Sequence, residues 1–215
     1  MIDTIIIPVL NRYDLLNRCL YSLPEQTSVL VIDNGGRYEE APRSGVDVIR
    51  LPANLGVPAS WNLGIKLRPF AAGWLLLNSD AWMSEDAWST LTSDAREDSI
   101  LLAGSPPWCC AYLPRRVVER VGLFCEAFYP AYMEDVDYEE RARRLGVGVV
   151  YSSARVEHDN SSTIHSDARL SELNARTHAR NIEIYNARWH GVVDGETPSV
   201  AEWSVRDRVA NAWDA

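Results

Sequence analysis

The stretch "GWLLLNSDAWMSEDAW" (73–88) decides the fold class, because it passes from an apolar segment through a polar corner into a helical pattern. Its first part, "GWLLL" (73–77), is short and apolar, which predicts a buried strand. The segment "SEDAWSTLTSDA" (84–95) predicts a helix with Ser84 as N-cap and acidic residues in the first turn. The corner Asn78-Ser79-Asp80 allows two interpretations, a turn that ends a strand or a weakened metal–diphosphate site.

Strands and helices alternate on both sides of this stretch. Further strands are predicted at "DTIIIPVL" (3–10), "SVLVIDNGG" (28–36), "VDVIRL" (46–51), "ILLAG" (100–104) and "VGVVYS" (147–152). Helices are predicted at 12–23, 114–122, 133–146, 166–189 and 201–213. The stretch 53–67 opens with loop residues and then predicts a helix that starts near Pro58. The strands are too continuously apolar to be half-exposed, so we expect an α/β fold with a largely parallel sheet that is buried on both faces.

Length and composition narrow the class further. The 215 residues, 47% hydrophobic and 24% charged, suit one globular domain with a C-terminal extension. A net charge of -9 argues against nucleic acid as a partner. The sequence has no apolar run of membrane-spanning length and no signal peptide, so we expect a cytoplasmic protein. The four cysteines lack zinc-site spacing and are expected to be reduced thiols.

Polar residues follow three of the predicted strands: Asn11, Asp33 and the corner 78–80. In parallel sheets, ligands bind beyond the carboxyl ends of the strands. Each residue alone is typical of a turn, but together they form a candidate site. His158 is either a second metal ligand or a simple loop histidine. The acids Glu134-Asp135-x-Asp137 either cap a helix or place one carboxylate in the cleft as a general base.

Six segments, in this order and rough spacing, resemble inverting family 2 glycosyltransferases of the GT-A fold, and most closely the bacterial rhamnosyl- and galactofuranosyltransferase branch. They are "IIIPVLNR…LLNRCLYSL", "VIDNGG", "NLGVPASWNLGIK", "WLLLNSDAWM", "YMEDVDYEERARRLG" and "VEHDNSST". A weaker likeness lies in "RNIEIYNARWHG" (180–191). The resemblance implies a GT-A domain over 1–165, with a Rossmann-like, mostly parallel sheet flanked by helices. A helical extension over 166–215 is expected to pack on it.

The resemblance also implies roles for individual residues. Pro8 and Asn11 border the nucleotide pocket, Asp33 reads the base, and Asn54 and Asn62 line the nucleotide–sugar pocket. Asn78, Ser79 and Asp80 occupy the metal motif, in which Asp80 and His158 are the metal ligands. Asp135 is the expected general base, with Glu134 beside it, and Trp189 helps to shape the acceptor side. The expected cofactor is Mn²⁺ or Mg²⁺, and the expected donor is a UDP or dTDP sugar.

The implied activity is metal-assisted transfer of a sugar from its nucleoside diphosphate to an acceptor hydroxyl with inversion. The alternative is a nucleotide-sugar-binding module without catalysis, of which Asn78 in place of the usual first Asp would be the first sign. Two further residues, Cys125 and His190, also depart from the family pattern. No glycine-rich loop follows the first strand, which argues against a Rossmann dehydrogenase or a nucleotidyltransferase.

The acceptor stays open between a saccharide, a lipid-linked glycan, a protein and a modified nucleobase, the last of which the acidic charge disfavours. The segment 201–213, with Trp203, Val205, Val209 and Trp213, has three interpretations. It packs on its own core, forms a homodimer contact or docks on a membrane surface, and the first is favoured.

Overall fold

A computed structural model describes residues 2–39, 41–159 and 168–189 of the chain. The predicted helix at 201–213 and the departure at His190 lie outside these residues. Within the described ranges, no helix combines the length and apolar composition that crossing a bilayer requires.

The part of the chain that the structure describes contains nine strands, seven in a central sheet and two in a separate ribbon. They are β1 (Thr4–Val9), β2 (Ser28–Asp33), β3 (Val46–Arg50), β4 (Gly73–Leu77), β5 (Ala81–Met83), β6 (Ser99–Ala103), β7 (Cys110–Pro114), β8 (Gly148–Tyr151) and β9 (Val156–His158). The central order is β3-β2-β1-β4-β7-β6-β8, and β5 pairs with β9. Only β7 runs antiparallel to its neighbours in that sheet. The expectation of a mostly parallel α/β sheet is confirmed.

The described residues form six α-helices: α1 (Tyr13–Ser22), α2 (Val57–Leu67), α3 (Ala87–Asp94), α4 (Arg115–Val121), α5 (Glu134–Arg144) and α6 (Ala168–Trp189). Strand β1 is buried along its whole length, as its unbroken apolar sequence predicts. Its Ile5 and Ile7 pack in a core with α1 and α3, while Ile6 packs in a second core with α2, α4 and α5. Helices therefore lie on both faces of the sheet.

Close packing of α2 on β1 depends on Gly64. A Cβ atom at this position would lie 2.5 Å from Cγ2 of Ile6, well inside van der Waals contact. Glycine at this point lets the helix backbone lie close against the face of the sheet.

The structure corrects two local predictions around α3. This helix begins at Ala87 and its N-cap residue is Asp86, so Ser84 is not the cap. The Ser84 hydroxyl instead donates to Oδ1 of Asp86 at 2.7 Å. The acidic residues therefore precede the helix rather than occupying its first turn. Strands β5, β7 and β9 were not predicted from the sequence.

The topology creates a crevice between β1 and β4. From β1 the chain moves outward through β2 and β3, and it then returns to the other side of β1 at β4. Such a reversal leaves the carboxyl ends of two neighbouring strands uncovered, and in open α/β sheets this is where ligands bind.

Candidate functional site

A cavity of about 250 Å³ opens at this crevice. Its lining includes residues from the following five places along the chain, among others. The end of β1 and the residue after it give Pro8, Val9 and Leu10, and the corner after β4 gives Asn78, Ser79 and Asp80. Strand β9 gives His158, the start of α5 gives Glu134 and Asp135, and α6 gives Leu170, Leu173 and Asn174. Six of the residues expected at the site from the sequence thus share this cavity with the two carboxylates of α5.

The small ribbon places His158 beside Asp80. Strands β5 and β9 pair antiparallel with Ala81 opposite His158, and the backbone N–H of Asp159 donates to the carbonyl of Asp80 at 3.0 Å. As a result, Nε2 of His158 lies 2.9 Å from Oδ1 of Asp80. The two side chains come from positions far apart in sequence, and both are largely buried.

Asn78 is the second neighbour of the imidazole. Its Nδ2 lies 3.2 Å from Nε2 of His158, and its backbone N–H donates to the carbonyl of Cys109 at 2.9 Å. One ring nitrogen either donates to Asp80 or accepts from Asn78, but it does not do both. The contacts with Asp80 and Asn78 therefore favour opposite tautomers of His158.

The donor set of this corner fits a divalent cation that also binds a diphosphate. Asp80 supplies a carboxylate oxygen and His158 an imidazole nitrogen on the same side of the cavity. Within the described ranges, no three His, Cys, Asp or Glu side chains converge into a complete metal cage. Mg²⁺ and similar ions are commonly held by one or two protein ligands together with phosphate oxygens and water. The two residues suit that arrangement.

Two carboxylates with different surroundings lie at the start of α5. Glu134 is 5% exposed, and its Oε2 has no hydrogen-bond partner among the described residues. Burial, and secondly the charge of Asp135, raise the pKa of Glu134 well above its ordinary value. Burial also raises the pKa of Asp135, but this carboxylate accepts the N–H of Val136 at 2.8 Å. Glu134 therefore favours the protonated form, and Asp135 is the better proton acceptor.

The turn that leads into these carboxylates is strained. Tyr132 and Met133 have φ values of 74° and 77°, in the left-handed region that non-glycine residues rarely occupy. Such a conformation costs about 1–3 kcal/mol for each residue and persists only where neighbouring structure enforces it.

The third acid of the run has a structural role. Asp137 is fully buried and accepts a hydrogen bond from Nε of Arg141 at 2.9 Å. It also accepts from Nε1 of Trp189 at 3.1 Å and pairs with Arg188 at 2.7 Å. Asp137 thus joins α5 to the end of α6. Trp189 is not among the residues that line the cavity; its indole packs on this joint, 4.9 Å from the guanidinium carbon of Arg144.

Asp33 is engaged by its own turn. It is fully buried and accepts hydrogen bonds from the Tyr13 hydroxyl at 2.8 Å and from the backbone N–H groups of Gly35 at 3.0 Å and Tyr38 at 2.8 Å. It does not line the cavity, and neither does Asn11. The next residue, Asn34, does line it.

Helix α2 presents a different residue from the one expected. Asn62 is fully buried behind the cavity, where its amide exchanges hydrogen bonds with the backbone of Phe124, both at 2.9 Å. Trp61, one position earlier, lines the cavity instead. It is 2% exposed, and its Nε1 has no hydrogen-bond partner among the described residues. Asn54 lines the cavity as expected.

Sequence reasoning missed several lining residues, chiefly Asn34, Trp61, Trp108 and the three from α6. Asn34 had a usable signal, since it follows Asp33 at the end of a strand. Trp61 and Trp108 had no such signal in the sequence. Both also belong to the core between α2 and α5, so their sequence pattern is that of core residues.

Comparison with known proteins identifies the family. Residues 4–111, just over half of the chain, match Glycosyl transferase family 2. No curated protein matches the chain in sequence.

Three solved structures share the fold. S. aureus TarS 1-349 in complex with UDP-GlcNAc is 14% identical with a TM-score of 0.57, over 87% of this chain and 71% of that one. GalNAc-T7 with UDP, GalNAc and Mn²⁺ is 9% identical with a TM-score of 0.60, over 88% and 58%. The mannosyltransferase PcManGT from Pyrobaculum calidifontis, in complex with GDP-Man and Mn²⁺, is 10% identical with a TM-score of 0.53, over 98% and 79%.

At these identities the solved structures establish a common GT-A architecture, and the family match carries the assignment beyond it. Together with the cavity at the switch point of the sheet, they lead to one conclusion: the chain belongs to glycosyl transferase family 2.

Proposed function

We propose that this chain transfers a sugar from a nucleoside diphosphate sugar to an acceptor hydroxyl by a single displacement that inverts the anomeric carbon. The observation that supports this most is the sharing of one cavity by the Asp80–His158 pair and Asp135. The pair is suited to hold a cation that binds the leaving diphosphate, and Asp135 is suited to accept the proton of the attacking hydroxyl.

In the proposed step, Asp135 takes the proton of the acceptor hydroxyl while the oxygen of that hydroxyl attacks the anomeric carbon. The bond from that carbon to the diphosphate oxygen breaks, and its electron pair leaves with the nucleoside diphosphate. Because the hydroxyl oxygen attacks from the face opposite the leaving diphosphate, this single displacement inverts the anomeric configuration. The raised pKa of Asp135 supports its role, because a stronger base accepts the hydroxyl proton more readily.

Asp80 and His158 would hold the divalent cation, Mn²⁺ or Mg²⁺, which when bound neutralises charge on the leaving diphosphate. The amide of Asn78 also contacts the imidazole of His158, with its Nδ2 3.2 Å from Nε2. An amide instead of a carboxylate at this position removes one negative charge from the site, so we expect weaker metal binding than a pair of acids would give.

The donor is proposed to be a UDP or dTDP sugar, as the resemblance to the rhamnosyl- and galactofuranosyltransferase branch implies. Asn54 lines the same cavity as Pro8, and we propose that it contacts the nucleoside side of the donor. Asn34 also lines the cavity, but its amide is already bonded to Ser60 and to the N–H of Leu55. Because Asp33 is covered by Tyr13 and Tyr38, we assign no base contact to it. The acceptor is proposed to approach along α6, whose Leu170 and Leu173 suit an acceptor with an apolar portion.

The test is incubation with a panel of UDP, dTDP and GDP sugars and Mn²⁺, followed by measurement of nucleoside diphosphate release and by mass spectrometry of any product. We expect slow release with one donor class, and faster release when a suitable acceptor is added. The Asp135→Asn variant serves as the control for hydrolysis by a contaminant. Binding of a nucleotide sugar without turnover would contradict the proposal and favour a binding module.

A further inference from the structure

The segment "RNIEIYNARW" (180–189), in α6, contains a buried polar side chain that the proposed chemistry does not use. Asn181 is fully buried, and its Nδ2 donates to two successive carbonyls, that of Ala131 at 2.9 Å and that of Tyr132 at 3.1 Å. These carbonyls belong to the strained turn before α5. One amide of α6 therefore holds the backbone that immediately precedes Glu134 and Asp135.

Other contacts fix the same two elements together. The ring of His178 on α6 lies 5.2 Å from the ring of Tyr132, and Asp137 bonds to Trp189 at the far end of α6. Met133 accepts the first N–H bond of α5, from Asp137 at 2.9 Å. The left-handed pair Tyr132-Met133 is thus bounded on one side by Asn181 and on the other by the first turn of α5.

We infer that Asn181 is a positioning residue: it holds the left-handed turn at 132–133 and so fixes where Asp135 projects into the cavity. This rests on the proposed role of Asp135 as general base. Proton transfer depends on the base lying within hydrogen-bond reach of the attacking hydroxyl, and a displacement of about 1 Å can cost on the order of 100-fold in rate. Asn181 itself is not among the residues that line the cavity.

The chain offers a matched control one turn earlier on α6. Thr177 is also buried, at 8% exposure, but its hydroxyl donates only to the carbonyls of Leu173 and Asn174 within the same helix. Replacing it by alanine removes a buried side-chain hydrogen bond from α6 without touching the turn. Any general weakening of the helix should therefore appear in both Asn181→Ala and Thr177→Ala.

For Asn181→Ala we expect kcat to fall by about 10- to 100-fold, while the Kd for the nucleoside diphosphate with Mn²⁺ changes by less than about twofold. Thr177→Ala should stay close to wild type in both. Adding Met133→Gly to Asn181→Ala should recover part of kcat, because glycine adopts the left-handed conformation without strain. Equal losses of kcat in the two single variants, or a parallel loss of nucleotide affinity, would overturn the inference.

A second measurement does not depend on turnover. Hydrogen exchange of the backbone amides at 132–137 should accelerate in Asn181→Ala but not in Thr177→Ala. Unchanged exchange in both variants would refute the positioning role even if the chain transferred no sugar. A wild-type protein without transfer activity would instead refute the proposed function, so the two failures are distinguishable.

Discussion

Glu134 and Asp135 are adjacent in the chain but differ in surroundings, and this difference predicts a division of roles. Asp135→Asn should lower kcat by about 100- to 10,000-fold, the usual contribution of a general base. Donor binding should be nearly unchanged. Glu134→Gln keeps a neutral hydrogen-bonding group and should lose much less. Single-turnover kinetics with calorimetry would show this, and a reversed order of the two variants would move the base to Glu134.

The same carboxylate sets a pH dependence. Because burial raises the pKa of Asp135, its basic form appears at higher pH than for an ordinary aspartate. The value of kcat/KM should therefore fall as pH decreases, with a midpoint above the usual aspartate range. If transfer kept its full rate through that range, Asp135 would not be the titrating base.

Asp80 carries the prediction for the metal. Asp80→Ala removes one of the two proposed protein ligands and should weaken the affinity for nucleoside diphosphate in Mn²⁺ by at least about tenfold. In the presence of a chelator, wild type and variant should bind equally weakly. Calorimetry under both conditions measures this, and a variant that retains metal-dependent binding would remove Asp80 from the metal site.

Trp61 lines the cavity, and its N–H is buried without an acceptor among the described residues, so we expect a bound nucleotide sugar to shift the side chains around it and a donor hydroxyl to accept from it. Trp61→Phe should reduce affinity for the nucleotide sugar by about 2- to 10-fold and leave affinity for the free nucleoside diphosphate unchanged. Trp74→Phe is the control, since its equally buried indole donates to the Arg68 carbonyl at 3.1 Å, outside the cavity. Similar effects in both variants would indicate a packing defect.

At the scale of elements, Asp137 joins α5 and α6 through a buried ion pair. Removing one partner of such a pair leaves the other charge buried, so Asp137→Ala should lower the free energy of unfolding by about 3–5 kcal/mol. In the ion pair Glu97–Arg116 both side chains are exposed, so Glu97→Ala should lower the free energy of unfolding by only about 0–1 kcal/mol. Denaturant titrations compare the two. A loss from Asp137→Ala no larger than that from Glu97→Ala would show that α6 is held by other contacts.

Some elements could be predicted from sequence because their signal is local. Strand β1 is a run of apolar residues, and α5 carries acids at its start and arginines at its end, as a helix dipole favours. Strands β5 and β9 have three residues each and no periodicity to detect. Their pairing nevertheless places His158 beside Asp80. The register between two such distant segments cannot be predicted from the local sequence of either segment.

Helix α2 shows the same limit within one element. Its buried residues include Ser60, Trp61 and Asn62 in succession, so it has no polar face from which its orientation could be read. A step of one residue turns the side chain by about 100°, and this separates Asn62 behind the cavity from Trp61 in its wall. Packing against β1 at Gly64, not local pattern, sets that rotation.

At the scale of the whole molecule, the cavity joins parts of the chain that are distant in sequence. Asn34 follows β2, Asp80 lies in the corner after β4, and Asn174 belongs to α6. A ligand that contacts all of them binds only the folded arrangement. Its binding therefore stabilises the whole domain and not a single element.

This gives a prediction that needs neither acceptor nor turnover. At 100 times its Kd, a ligand adds about 2.7 kcal/mol to stability, which for a domain of this size raises Tm by about 5–10 °C. UDP or dTDP with Mn²⁺ should produce such a shift, whereas Mn²⁺ alone should produce little, because two protein ligands form only part of a coordination shell. The Asp80→Ala variant should lose most of the shift. GDP sets the comparison for base selectivity: a larger shift with GDP would overturn the proposed donor, and no shift with any nucleoside diphosphate would overturn the proposed site.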